Sequence, residues 1–193
     1  MASREPLAQD LGCGDSFDDL LVEARAGSPS ACQRLYTANA GRVYGYLRAH
    51  GSRDPEDLTS EVFLRVFTHF DEFVGDEIGF RGWIFTIARR LLIDAHRRDD
   101  RRPTTVEFND EVPEAASAGD TESEALLRIE DEDVAEILAH LTPDQRDVIV
   151  LRIVADLPTE QVAHMLGRTT STVKALQRRG IASLRRRLGK ARS

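Results

Sequence analysis

The chain has little of what most chemistries need. Its 193 residues include two cysteines, Cys13 and Cys32. Their spacing fits neither a metal site nor a redox pair, so a disulfide scaffold is excluded and both read as free thiols in a reducing cytoplasm. No apolar run approaches the roughly 18 residues of a membrane span. The polar start lacks the apolar segment of a signal peptide, and no contact with a membrane is expected. There is no Gly-rich phosphate loop, no nucleophile elbow, no internal repeat and almost no strand-like alternation. The histidines, His50, His69, His96, His140 and His164, are scattered. Asp54, Glu56, Asp57 and Glu61 crowd together, but a helix start accounts for them. Neither an enzyme nor a cofactor, metal or small-molecule substrate is expected.

Charge, by contrast, is plentiful and unevenly placed. The net charge of −7 divides into three unlike parts. Residues 1–103 hold 14 basic and 17 acidic side chains, a net of −3. Residues 104–136 hold 1 basic and 12 acidic, a net of −11. Residues 137–193 hold 11 basic and 4 acidic, a net of +7. Such asymmetry points to a nucleic-acid partner for the last part and a solvated spacer in the middle.

Helical periodicity dominates the rest, and the expected fold is all-α: two small helical domains joined by a flexible acidic linker. Residues 1–15 read as a disordered tail, 16–103 as the first domain, 104–133 as the linker and 134–193 as the second domain. In the first domain, helices are expected from Phe17 to Ala26, from Ser28-Pro29 to about His50, from Asp54 to about Phe70, and from about Phe80 to Arg97, with Pro103 ending the region. Asp54 suits a helix cap and Pro55 the first helical position. Phe80, Trp83, Ile84, Ile87 and Leu91 form an apolar stripe, which favours core packing over base stacking for Trp83. A weak helix is expected from Glu122, with Val134, Ile137, Leu138 and Leu141 towards its end. Thr142-Pro-Asp-Gln145 is a capping box. It opens a helix carrying Val148, Ile149, Leu151 and Ile153.

The most specific signal follows. Leu157-Pro-Thr-Glu-Gln-Val-Ala-His-Met-Leu-Gly167 reads as a short helix stopped by a left-handed glycine. Thr169 then caps a longer helix with Val173, Leu176, Ile181, Leu184 and Leu188 on its apolar side. Lys174, Gln177, Arg178 and Arg179 lie on the other. An Arg-rich amphipathic helix alone is often just a solvated face. The turn glycine and the preceding short helix make this one a helix-turn-helix suited to a DNA major groove.

These segments together resemble a bacterial RNA polymerase sigma factor of the extracytoplasmic-function group in the sigma-70 family. That group keeps only the second and fourth conserved regions. Asp54-Pro-Glu-Asp-Leu-Thr-Ser-Glu-Val-Phe-Leu-Arg65 is similar to the family's polymerase-clamp helix. Phe80-Arg-Gly-Trp-Ile-Phe-Thr-Ile-Ala-Arg-Arg-Leu-Leu-Ile-Asp94, with the arginines after it, is similar to the segment that opens and reads the minus-ten element. Leu141 to Arg152 and the helix-turn-helix are similar to the region that reads the minus-thirty-five element.

The resemblance implies partners and residue roles. Core RNA polymerase would meet Asp57, Leu58, Glu61, Leu64 and Arg65. Minus-ten DNA would meet Arg89, Arg90, Arg97, Arg98 and Arg101, with Arg102 beside them on backbone phosphates. Minus-thirty-five DNA would meet Thr170, Ser171, Thr172, Lys174, Ala175, Arg178 and Arg179. A cognate anti-sigma factor is the usual family arrangement. The linker would run towards the RNA exit path of the polymerase, and its carboxylates would also lie within reach of the basic helix. Three positions depart from the family pattern. Arg90 stands where many relatives have Asn, Ala175 where a polar residue is common, and Pro158 where a Ser cap is common.

Two other functions fit the residues alone. One is an autonomous helix-turn-helix transcriptional regulator with an N-terminal helical sensor domain, which requires an apolar ligand pocket in residues 17–100. The other is an adaptor or inhibitor whose basic helix binds an acidic protein.

Overall fold

The computed structural model describes residues 16–101 and 137–191. The expected tail, Cys13, Arg102, the acidic linker and the helix expected from Glu122 lie outside the described residues, except that Leu138 and Leu141 near its end are described and buried.

All regular elements among the described residues are helices. Helix α1 (Phe17–Arg25) starts in a capping box, Ser16 with Asp19, and stops before Gly27 at φ +82°. Helix α2 (Pro29–Ala49) has Ser28 as its cap and a proline in its first turn. Helix α3 (Pro55–Thr68) also begins on proline, and here the expectation for Asp54 is corrected: it occupies the cap position, but its side chain makes no capping bond. The chain then tightens into a 3₁₀ turn, Phe70–Glu72, which ends α3 earlier than periodicity predicts. Helix α4 (Glu77–Arg101) begins three residues before Phe80. The reason is Asp76, whose Oδ1 accepts from the Gly79 N–H at 2.7 Å. It continues to Arg101, past the expected end at Arg97.

Rings fill the middle of this first group. Phe80 is fully buried and meets Phe17, Phe70, Phe73 and Trp83 with centroids 5.2–6.0 Å apart. Trp83 is half-buried and stacks on Phe73 at 5.4 Å, which places it in the packing, as its stripe position predicts.

The second group is smaller. Helix α5 (Pro143–Ile153) starts in the predicted capping box, Thr142 with Gln145. Val148, Ile149 and Leu151 are buried, and Ile153 is exposed. Helix α6 (Thr159–Leu166) ends on Gly167 at φ +61°, a conformation cheap only for a residue without Cβ. Helix α7 (Thr170–Ala191) begins where the Thr169 Oγ1 accepts from the Thr172 N–H at 3.2 Å. Val173 and Leu176 bury its inner face against α5 and α6.

The two groups are not simply tethered. Helices α2 and α4 of the first pack directly on α5 and α6 of the second. One continuous apolar cluster runs through both.

Candidate nucleic-acid interface

Helix α7 presents the most complete surface. Its buried Val173 and Leu176 fix its rotation, so Lys174, Arg178 and Arg179 face solvent. Arg179 bends back, its Nε donating to the Ala175 carbonyl at 3.4 Å. Ala175 itself is half-buried. At the helix start Thr170 and Ser171 are exposed and Thr172 is half-buried. The Thr169 hydroxyl sits 2.9 Å from those of Ser171 and Thr172. Free N–H groups at a helix start, hydroxyls around them and cations further along the same helix suit a phosphate backbone beside a groove.

Helix α3 presents a different surface. Glu61 and Arg65 form an i,i+4 pair at 2.7 Å, both partly exposed. Asp57 is exposed, and Leu64 is 68% exposed. A large apolar side chain standing free beside an ion pair marks a protein contact more than a nucleic-acid one. Leu58 does not join this face: it is 7% exposed and belongs to the core. Between the start of α3 and the end of α4 lies a cleft of about 520 Å³, lined by Asp54, Asp57, Glu61, His96, Arg98 and Asp99 among others. Its charged lining does not suit the apolar ligand that a sensor domain requires.

The cations at the end of α4 fall into two sets. Arg90, Arg97 and Arg98 are exposed. Arg97 pairs loosely with Asp94 at 3.9 Å, and Arg98 donates to the Asp94 carbonyl at 3.3 Å. Arg101 ends the helix. Arg89 stands apart from them. Its Nη2 lies 3.5 Å from Oδ2 of Asp147, in the second group.

Asp147 is a residue that the sequence reading missed. Its other oxygen lies 2.7 Å from His50 Nε2, while His50 Nδ1 lies 2.8 Å from the Tyr46 carbonyl. Tyr46 is fully buried beneath them, 4.4 Å from the His50 ring. Burial pushes its phenol far above the ordinary tyrosine range; the Asp147 carboxylate adds to this and Arg89 opposes it. Asp156 makes a second such junction, 3.2 Å from Arg81 and 3.9 Å from Arg42. One signal for this contact was present in the sequence. Gly45 and Gly82 interrupt two long helices, where glycine weakens a helix and asks for a packing reason.

Among the described residues no cluster of His, Cys, Asp or Glu is placed to hold a metal. No described helix is long and apolar enough to cross a membrane.

Comparison with known proteins covers both groups. Sigma-70 region 2 matches residues 35–102, and Sigma-70, region 4 matches residues 137–186. The ECF RNA polymerase sigma factor BldN of Streptomyces coelicolor is 32% identical over 175 residues, 88% of this chain and 65% of that protein. The chain thus spans just under two thirds of that relative. The ECF RNA polymerase sigma factor SigK of Mycolicibacterium vanbaalenii is 30% identical over 181 residues, 91% of this chain and 90% of its own length. In fold, CnrH, solved in complex with the cytosolic domain of CnrY, superposes with a TM-score of 0.66 at 22% identity, covering 91% of this chain and 99% of that one. With both regions matched in order and SigK aligned over nearly its whole length, the chain belongs to the extracytoplasmic-function group of the sigma-70 family of RNA polymerase sigma factors.

Proposed function

We propose that this chain is a promoter-specificity subunit acting in the cytoplasm: it binds core RNA polymerase, carries it to promoters and supplies no catalytic group of its own. The observation that carries this reading is the pairing of two unlike surfaces on one chain. Helix α7 turns cations outward over a buried aliphatic face. Helix α3 turns out an apolar side chain beside an ion pair. One surface suits DNA and the other suits protein.

In this reading Asp57, Glu61, Leu64 and Arg65 meet the polymerase, and Leu58 supports them from below. Arg90, Arg97, Arg98 and Arg101 hold the minus-ten region. Thr170, Ser171 and Thr172 seat the start of α7 on phosphates, while Lys174, Ala175 and Arg178 reach base edges of the minus-thirty-five element. Ala175 can offer only an apolar contact, of the kind a thymine methyl accepts. An anti-sigma protein is the expected regulator.

The test is reconstitution. Core polymerase with the chain should initiate at a subset of promoters that core alone ignores, and Glu61→Arg should abolish association with core while far-ultraviolet circular dichroism stays native. Wild-type affinity for core in that variant would remove α3 from the interface. A chain that binds promoter duplex tightly and core not at all would instead be an autonomous regulator.

A further inference from the structure

The turn between α6 and α7 carries a cation that the reading of α7 leaves without a role. Gly167 reverses the chain at φ +61°, and the Arg168 N–H donates to the Ala163 carbonyl at 2.9 Å. The backbone of Arg168 is thereby fixed on the end of α6. Thr169 follows and caps α7, its Oγ1 accepting from the Thr172 N–H at 3.2 Å. Arg168 thus stands one residue before the cap, at the end of α7 where exposed Thr170 and Ser171 are proposed to sit on phosphates.

Its side chain is held as well. Nη2 of Arg168 lies 3.3 Å from Oδ2 of Asp144 on α5. Asp144 belongs to the first turn of α5, which the capping box of Thr142 and Gln145 fixes. A left-handed glycine and a capping box therefore set the two ends of this pair. Among the described residues of the second group, no other Arg or Lys forms an ion pair. Lys174, Arg178, Arg185, Arg186 and Arg187 are exposed. Residues 137–193, with a net charge of +7, thus place a carboxylate beside one of their own cations at the turn.

Stability gives little reason for the pair. Its side chains are 50% and 58% exposed, and exposed ion pairs contribute little to folding. Chemistry gives a better one. A guanidinium has five N–H donors in a planar fork, and one contact to Asp144 leaves most of them open. Such a fork matches the oxygens of a phosphate as well as those of a carboxylate. A weak, solvated pair can exchange one acceptor for the other without first leaving a buried charge unpaired. The carboxylate also repels a phosphate that arrives beside it, over the short range that salt leaves unscreened.

We propose that Arg168 is a further contact to the DNA backbone, made from the turn, and that Asp144 sets the strength of this contact by competing with the phosphate for the guanidinium. The proposal rests on the promoter-binding reading of α7. The contact is independent of sequence, because phosphates carry no base information. Asp144 is a positioning residue that acts through Arg168.

The test uses the full chain bound to core polymerase, titrated on two duplexes across a series of salt concentrations. One duplex carries an intact minus-thirty-five element and the other a scrambled one. Arg168→Ala should weaken binding about three- to ten-fold on both. It should also lower the slope of log affinity against log salt by about 0.9, the value for one phosphate on duplex DNA. Arg168→Lys keeps the charge and should keep the slope. Asp144→Asn should tighten binding about two- to five-fold, and most of that gain should vanish in the double variant Arg168→Ala with Asp144→Asn. An unchanged slope in Arg168→Ala, or a loss confined to the intact element, would overturn the phosphate contact. An equal gain from Asp144→Asn with and without Arg168 would overturn the competition. Failure of the wild-type complex to prefer the intact element would overturn the promoter-binding reading instead, while the salt slopes would still report on Arg168.

Discussion

All twelve aromatic residues of the chain lie before residue 109, and residues 137–193 contain none. The first domain is built on rings and the second on aliphatic side chains and caps. Phe80 alone touches four other rings in the first domain, whereas the second closes over Val148, Leu151, Leu157, Val162 and Val173, each fully buried. Rings bury much area from few positions and prefer particular angles. They suit a domain whose α2 and α4 run 21 and 25 residues and whose proposed protein-binding and DNA-binding faces need a fixed relation. The second domain needs only to present one helix. Short helices with good ends suffice for that, and the contact with the first domain adds to them.

The largest effects should come from cutting into each core. Phe80→Ala should cost about 3–5 kcal/mol and Leu151→Ala about 2–5 kcal/mol. A single tryptophan distinguishes the two events. Trp83 stacks on Phe73 and reports on the first domain, while circular dichroism reports on all helices. In a urea titration Phe80→Ala should move the fluorescence midpoint strongly. Leu151→Ala should move the circular dichroism midpoint and leave fluorescence mostly in place. If Leu151→Ala shifts both equally, the two domains unfold as one unit and the comparison between them fails for stability.

Much of this architecture could be read locally. The starts of α1, α2 and α5, the turn at Gly167 and the exposed face of α7 follow from caps, prolines and 3.6-residue spacing, all of which act within a few residues. Misplaced ends have local causes too. Asp54 holds a cap position without bonding, and Asp76, which passes for an ordinary loop acid, starts α4 early. What periodicity could not reveal was the domain contact. His50 and Asp147 are separated by 97 positions, and each taken alone is an unremarkable polar residue near a helix end. The family resemblance places Arg89 with Arg90, Arg97 and Arg98 on minus-ten DNA. Only the packing shows that Arg89 faces the other domain. Leu58 differs from its neighbours for a packing reason too: the family resemblance gives it to the polymerase face, and the fold buries it to 7% exposure.

A smaller effect should separate the kinds of cation on α7. Arg178 is exposed in the middle of the helix, and Arg186 is exposed towards its end. Arg178→Ala should relax preference at one or two upstream promoter positions, by roughly 1–3 kcal/mol if its contact is bidentate. Arg186→Ala should weaken binding about equally on every sequence and flatten the salt dependence. Selection from randomised promoters by holoenzyme, repeated at two salt concentrations, measures both. An unchanged base preference in Arg178→Ala would move base reading off this part of α7. No comparable split is expected at Arg97 and Arg98 in the first domain, since their proposed partners are phosphates.

The smallest effects concern helix ends, and they bring the two domains back together. Ser16 and Thr142 each complete a capping box, so Ser16→Ala and Thr142→Ala should each cost about 0.5–2 kcal/mol. Asp54→Ala should cost no more than about 0.5 kcal/mol, because only its charge near the helix start is lost. Denaturant midpoints give this ranking directly, and an Asp54→Ala cost equal to the other two would show that its side chain caps α3 after all. The two boxes should differ in reach. Ser16 starts α1, which packs on α2. Thr142 starts α5, and Asp147 stands in the turn that follows the box. Fraying at Thr142 should therefore loosen the hold of Asp147 on His50 and Arg89, whereas fraying at Ser16 should not. Cross-linking between Cys residues placed at 45 and 154 reads this out: it should slow in Thr142→Ala and stay unchanged in Ser16→Ala, although both variants lose similar stability.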